Sequence, residues 1–296
     1  MRVLIFGCGF SGLEIGARLA KQNIEVSGTT RSTEKFSRLV EAGIQPLLFD
    51  GNTLDQTLLA ALKAVTHLVI SIAPPRQENS DHTDAVDPVL SALGGSTSLL
   101  PNLTWIGYLS TVGVYGNKDG AWMDETANLA PTSARSRQRV RAEDEWIETA
   151  HLHNLPLSIF RLSGIYGPGR NALRAASEAR SRRLIKEGQV FNRIHVGDIA
   201  QAVELSLLKN TAGVFNITDD EPAPPQDVVS FAHQILGTPP PLELDFDTAE
   251  LTPMARSFYG DNKRVSNQRS KELLGMQYDW PNYRESLQRM FDESTW

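Results

Sequence analysis

The sequence predicts an α/β fold, a doubly wound parallel sheet with a smaller C-terminal lobe. Three observations predict it. Short apolar runs alternate with helically spaced apolar residues over roughly the first half of the chain. A glycine-rich turn joins the first such run to the first helix. After about residue 164 the pattern gives way to turn-rich, basic and proline-broken sequence.

The elements follow in order. Val3-Leu4-Ile5-Phe6 reads as a buried strand and Leu13 to Lys21 as a helix. Ile24-Glu25-Val26 opens a second strand, and Thr33 to Glu41 a second helix. Leu47-Leu48-Phe49, His67 to Ile72, Trp105 to Leu109 and Leu157 to Phe160 supply four more strands. Beyond these, Asn171 to Lys186 is basic and predicted helical, Ile199 to Leu208 is an apolar helix, and Val214 to Ile217 is strand-like. Pro222, Pro224 and Pro225 precede another helix, and Pro239 to Pro241 break the chain again.

The bulk properties bound the function. The 296 residues suffice for a full core, and 41% apolar with 22% charged residues is ordinary for a globular protein. A net charge of −6 argues against nucleic acid as a partner. The single cysteine, Cys8, permits no internal disulfide and suits a reducing, cytoplasmic setting. No apolar stretch is long enough to span a membrane, and a first strand at Arg2 leaves no room for a signal peptide. A monomer or homodimer acting on a small molecule is expected.

Gly7-Cys8-Gly9-Phe10-Ser11-Gly12 matches G-x-G-x-x-G and lies directly between the first strand and first helix. That context marks a dinucleotide-binding (Rossmann) turn. Gly7 allows the tight turn, Gly9 lets backbone approach a pyrophosphate, and Gly12 lets helix pack on strand. After the second strand, an acidic residue would select NAD(H) and an arginine suits the 2′-phosphate of NADP(H). Thr30-Arg31-Ser32 stands there, with no carboxylate, so NADP(H) is favoured over NAD(H). The competing reading makes Arg31 a solvated first-turn residue and Ser32 a helix cap. Asp50, after the third strand, suits either the adenine amino group or a turn. Ser71, Ile72 and Ala73, at the carboxyl end of the fourth strand, complete the expected cofactor contacts. Residues 1–163 with 191–218 are assigned to the dinucleotide-binding domain, and 164–190 with 219–296 to the small lobe.

Four further stretches carry a resemblance. They are Leu109-Ser110-Thr111-Val112-Gly113-Val114-Tyr115-Gly116, Phe160-Arg161 to Ile165-Tyr166-Gly167-Pro168-Gly169, Arg193-Ile194-His195-Val196-Gly197-Asp198-Ile199-Ala200, and Asn262-Lys263-Arg264-Val265-Ser266-Asn267. With these the chain resembles the extended short-chain dehydrogenase/reductase superfamily, specifically its NAD-dependent epimerase/dehydratase family, over nearly its whole length. The resemblance implies a Ser/Thr and a Tyr bonding the substrate oxygen, and a Lys four residues after the Tyr. Thr111 falls on the Ser/Thr position. Aligned on Glu143, the Tyr position holds Arg135 and the Lys position Arg139. The chain thus resembles an atypical branch without the Tyr/Lys pair, and its glycine loop is one residue shorter than the usual G-x-x-G-x-x-G.

A guanidinium stays protonated and cannot cycle a proton as a phenol does. Arg139 is therefore read as a cation for the nicotinamide ribose, and Arg135 as a partner for an anionic substrate or oxyanion. Otherwise they form a solvated face, with Arg139 and Glu143 an i,i+4 pair. Tyr115 and Tyr166 are candidate replacement phenols, with packing the other reading for each. The basic run of Arg161, Arg170, Arg174, Arg180, Arg182, Arg183, Lys186 and Arg193 faces only Glu178 and Glu187. It is read either as an anion site for a phosphate- or nucleotide-bearing substrate or as a solvated helix. The resemblance makes His195 part of a structural turn, with Asp198 capping the next helix. His67, His82, His151, His153 and His233 show no metal-ligand spacing, so no metal is expected. The function expected is an oxidoreductase or epimerase; a non-catalytic dinucleotide sensor is the alternative.

Overall fold

The structure, a computed structural model, describes residues 1–75 and 87–296; His82 lies outside the described residues. The N-terminal half alternates strands and helices: β1 (Arg2–Phe6), α1 (Phe10–Lys21), β2 (Glu25–Thr30), α2 (Phe36–Glu41), β3 (Gln45–Leu48), α3 (Gln56–Ala64), β4 (His67–Ile70), α4 (Pro88–Ala92) and β5 (Trp105–Thr111). Then come β6 (Trp122–Met123), α5 (Ala134–Leu152) and β7 (Leu157–Leu162). The remainder comprises β8 (Gly164–Tyr166), α6 (Ala172–Ser177), β9 (Arg183–Ile185), β10 (Arg193–His195), α7 (Val196–Leu208), β11 (Gly213–Ile217), α8 (Pro225–Ile235), β12 (Glu243–Asp245), α9 (Pro253–Phe258), β13 (Arg264–Val265) and α10 (Tyr283–Asp292).

Among the described residues the main sheet has seven parallel strands in the order β11-β7-β5-β4-β1-β2-β3. Parallel strands covered on both faces read as continuous apolar runs. The period of two along β1 divides them between layers. Val3 and Ile5 pack with Ile15 and Leu19 of α1 and Ile199 and Val203 of α7. Leu4 and Phe6 pack on the other side with Leu58 and Leu62 of α3 and Trp146 of α5. The strand order reverses between β1 and β4, so a crevice opens at their carboxyl ends.

β5 and β7 run beyond their apolar stretches to Thr111 and Leu162. Polar residues there keep ladder register, Ser110 opposite Arg161 and Thr111 opposite Leu162. The short pairs β8–β10, β9–β12 and β6–β13 lie outside the main sheet. A separate apolar cluster joins α6, α8 and α10 through Leu173, Val228, Ala232, Tyr283, Leu287 and Met290, with Tyr166 inside it. No described helix is long and apolar enough to cross a membrane.

Two expectations are corrected. The basic run 171–186 is not one helix. Asn171 caps α6 by accepting from Arg174 N at 2.9 Å, the helix ends at Ser177, Ala179 takes φ +54°, and Arg183–Ile185 pairs with β12. A basic run with few apolar residues offers no stripe to bury, so strand pairing prevails. Asp198 does not cap α7. The His195 ring does, its Nδ1 accepting from Gly197 N at 3.1 Å. Asp198 instead accepts from Asp279 N and Trp280 N, tying α7 to the chain before α10.

Candidate functional site

The crevice begins where β1 ends. Gly7 turns the chain at φ +93°, and a Cβ there would meet Ile72 Cγ1 at 2.7 Å. Its N–H donates to Thr29 Oγ1 at 2.9 Å, and Cys8 N–H donates to Thr29 O at 2.8 Å. The buried Thr29 of β2 therefore pins the loop, a role the motif does not reveal. A Cβ on Gly12 would lie 2.3 Å from Gly7 O, so only glycine lets α1 seat against the loop. Gly9 precedes α1 with no side-chain cap, and no acidic residue occupies the first turn. A Cβ at Gly9 would meet nothing within 4 Å, because that side opens into the crevice. A glycine-floored cavity at the positive end of a helix fits an anion, as a dinucleotide pyrophosphate requires.

The cavity measures about 650 Å³. It is lined by Gly7, Cys8, Gly9, Phe10 and Ser11, by Thr30 and Arg31, by Asp50, and by Ser71, Ile72 and Ala73. Two expected contacts sit elsewhere. Gly12 supports the loop from behind. Ser32 caps a 3₁₀ turn, its hydroxyl accepting from Glu34 N at 3.3 Å. That turn brings Lys35 into the same lining as Arg31. Arg170, read in the sequence as part of a substrate-side basic run, instead reaches this cavity from the loop after β8.

Asp50 builds its own turn. Its Oδ1 accepts from Asn52 N and Thr53 N at 2.8 Å and its Oδ2 from Thr53 Oγ1 at 3.2 Å. The hydrogen bonds from Thr53 and Asn52 hold the carboxyl below its usual range. Cys8 is buried, and burial pushes its thiol up to about 12, which makes it a loop filler and no nucleophile.

None of the expected catalytic residues Thr111, Arg135, Arg139 and Tyr166 lines this cavity; the first three come from β5 and α5. Thr111 Oγ1 accepts from Gly113 N at 3.1 Å, which leaves its proton to donate. Arg135 is exposed at the start of α5, its guanidinium 5.3 Å from the Phe258 ring centre on α9. Arg139 Nη1 donates to Tyr108 Oη at 3.1 Å and Leu109 O at 2.8 Å, so it is held against the end of β5. The Arg139–Glu143 pair of the solvated-face reading does not form. Glu143 faces inward and accepts from Arg161 Nη2 at 2.7 Å and from Ser110 Oγ. Ser136, buried one residue past Arg135, bonds Ser133 at 2.9 Å. Its Oγ would stand 3.0 Å from a Cβ on Gly113, beside Thr111 Oγ1 at 3.4 Å. Nothing in the motif pointed to Ser136; its inward place on α5 is the only signal.

Neither candidate phenol lines the cavity. Tyr115 Oη donates to Asn216 Oδ1 at 2.7 Å and accepts from Arg161 at 3.0 Å, and burial raises its pKa. Tyr166 is buried in the cluster of α6, α8 and α10, and burial raises its pKa further. The His195 ring stacks on Trp280 with centres 3.8 Å apart. Burial drives its pKa down to about 3, so it is a neutral structural ring.

The basic run is dispersed, which corrects its reading as one anion site. Arg161 pairs with Glu143, Arg174 and Arg180 with Glu178, and Arg183 with Glu243. Arg182, Lys186 and Arg193 donate to backbone carbonyls. Of the run's described residues, Arg170 alone lines the cavity. Among the described residues no cluster of His, Cys, Asp or Glu could hold a metal.

Comparison with known proteins agrees with this geometry. The model of the NAD dependent epimerase/dehydratase family matches residues 3–218. A functionally unknown conserved protein from Silicibacter pomeroyi DSS is 45% identical over 99% of both chains, with TM-score 0.88. UDP-glucuronic acid 4-epimerase from Bacillus cereus, solved with NAD, shares the fold at 18% identity and TM-score 0.78, covering 99% of this chain and 98% of that one. A curated 3-diazoavenalumate denitrifying reductase from Streptomyces sp. is 27% identical over 161 residues, 51% of this chain; the match spans 52% of that protein's length. The chain belongs to the NAD dependent epimerase/dehydratase family, whose cofactor is a nicotinamide dinucleotide.

Proposed function

We propose that this chain is an NADP(H)-dependent oxidoreductase or epimerase acting on a carbonyl or hydroxyl of a small anionic or nucleotide-linked substrate. The observation that carries the cofactor preference is the placement of Arg31 and Lys35 together in the cavity lining at the end of β2. Two cations and no carboxylate at that point suit a 2′-phosphate. NAD(H) would use the same glycine loop and leave both cations without a partner. The main sheet, with residues 1–163 and 191–218, holds the cofactor in this reading, and 164–190 with 219–296 close the substrate side. A reducing compartment such as the cytoplasm suits the single, buried Cys8.

When bound, a nicotinamide ring supplies or accepts a hydride. The chain's own residues do the rest. Thr111 donates its hydroxyl proton as a hydrogen bond to the substrate oxygen. Arg135 binds an anionic group of the substrate or stabilises an oxyanion, and never transfers the proton. With Tyr115 and Tyr166 buried outside the cavity lining, water or the substrate supplies the acid. A second reading, a non-catalytic dinucleotide sensor, is favoured by one observation: Arg139 is spent on Tyr108 and Leu109.

Calorimetric titration with NADPH and NADH, followed by a screen of carbonyl and nucleotide-sugar substrates at the nicotinamide absorbance, separates these. Tight NADPH binding with turnover that Thr111→Val abolishes while binding persists supports the enzyme. Binding without turnover over a broad panel supports the sensor. No binding of either dinucleotide overturns both.

A further inference from the structure

The glycine loop meets a pyrophosphate with neutral donors and a helix end but without a cation of its own: Gly7 to Gly12 contains no Lys or Arg. Arg31 and Lys35 stand at the end of β2, on the ribose side of the reading above. The charge of a pyrophosphate would then be met from outside the loop, and Arg170 is placed to meet it. Its guanidinium carbon lies 5.7 Å from the ring centre of Phe10, the residue after Gly9. Among the described residues it has no carboxylate partner, unlike Arg174, Arg180 and Arg183 of the same run.

The turn that carries Arg170 is closed by two backbone hydrogen bonds and touches both the sheet side and α6. Gly167 N donates to Arg170 O and Arg170 N to Gly167 O, each at 3.0 Å. Asn171 closes the turn from Nδ2 to Gly167 O at 2.9 Å while its Oδ1 caps α6. On the sheet side, a Cβ on Gly167 would lie 2.8 Å from Val196 Cγ1 and 3.4 Å from Phe10 Cζ. The turn is therefore packed directly onto the glycine loop, with α6 behind it.

We propose that Arg170 is a cofactor-binding residue that closes the mouth of the glycine-loop groove over the dinucleotide pyrophosphate, fastening the α6 segment to the sheet when the cofactor binds. The proposal rests on the dinucleotide reading of the cavity. A planar guanidinium bonds two phosphate oxygens at once, which a point charge does less well.

The test compares the full chain with its Arg170→Ala, Arg170→Lys and Arg31→Ala variants against NADPH, NADH, ADP-ribose and 2′-AMP by calorimetry. Arg170 is exposed, so the unliganded melting temperature should match the parent. Arg170→Ala should weaken NADPH, NADH and ADP-ribose by the same factor, about tenfold to a hundredfold, as loss of a hydrogen-bonded charge pair implies. It should leave 2′-AMP, which has no pyrophosphate, unchanged; Arg170→Lys should recover part of the loss. Arg31→Ala should show the converse pattern, weakening NADPH and 2′-AMP. Saturating NADPH should slow hydrogen exchange at 167–178 in the parent and not in Arg170→Ala, while 7–12 is slowed in both. Unchanged dinucleotide affinity in Arg170→Ala, or equal weakening of 2′-AMP, overturns the proposal alone. Failure of the parent chain to bind any of the dinucleotides overturns the cavity reading and the proposal with it.

Discussion

Arg161 Nη2 lies 2.7 Å from Glu143 Oε2, with both side chains buried between β7 and α5. Arg161 Nε makes two longer bonds to the same carboxylate, at 3.3 and 3.2 Å, and its Nη1 reaches Tyr115. Removing one partner of a buried, hydrogen-bonded pair strands the other charge. Glu143→Ala should therefore cost about 3–5 kcal/mol of stability. In a double-mutant cycle, Glu143 should couple strongly to Arg161 and negligibly to Arg139, although Arg139 is its i,i−4 neighbour on the helix. Denaturant unfolding of the singles and doubles checks this; strong Arg139 coupling would contradict the observed pairing.

The Arg31 and Lys35 pair sets the cofactor preference in the proposed function. A hydrogen bond to a charged group contributes about 1.5–3 kcal/mol, and less at an exposed site, so Arg31→Ala should weaken NADPH about tenfold. NADH affinity should stay near that of the parent. Lys35→Ala should shift the ratio the same way by less, since an ammonium binds phosphate at one point. Retention of the parent NADPH-to-NADH ratio in the double variant would remove the argument for the phosphorylated cofactor.

Cys8 lies in the phosphate loop without being reactive. With burial holding its thiol at about 12, essentially no thiolate is present at neutral pH. A disulfide reagent should modify the native protein only as fast as it unfolds, and instantly in denaturant. Cys8→Ala should bind dinucleotide almost as the parent does. Rapid modification of the folded chain would mean the loop opens or the thiol is activated.

His195 and Asp198 make opposite contributions to stability against pH. Burial lowers His195 to about 3, so between about 3 and 6.5 the unfolded chain binds a proton that the folded chain refuses. Its contribution is complete above 6.5 and lost as pH falls. Asp198 is raised by burial to about 7 despite its bonds from Asp279 and Trp280, so its contribution declines as pH rises towards 7. His195→Asn keeps a capping side chain and removes only the first effect. The parent should lose up to about 2 kcal/mol more than the variant between pH 7 and pH 5. Melting temperatures at the two pH values check this, and parallel slopes would refute it.

Much of the sheet and the heart of the crevice were legible in the sequence, because both depend on short-range patterns. Val3 to Phe6 alternates between two apolar layers, and a six-residue glycine motif prescribes its own turn. The supporting residues were less legible. Thr29 pins Gly7 and Cys8 from the neighbouring strand, Lys35 arrives by a 3₁₀ turn, and Ser136 differs from its exposed neighbours only in the face it takes on α5.

Local backbone preference and apolar period settled the α/β class, the glycine turn and the absence of a carboxylate after β2. Only the tertiary structure decided what each charge does. Glu143 could have bonded Arg139 along its own helix, yet it meets Arg161 from β7, because the helix turns that carboxylate into the core, where a buried charge needs a buried partner. Arg170 looked like one cation among eight until packing set its turn against Phe10, while Arg174, Arg180 and Arg183 found carboxylates. Long charged side chains can choose among several partners, and the choice depends on which elements converge in space, a property that no local window of sequence contains.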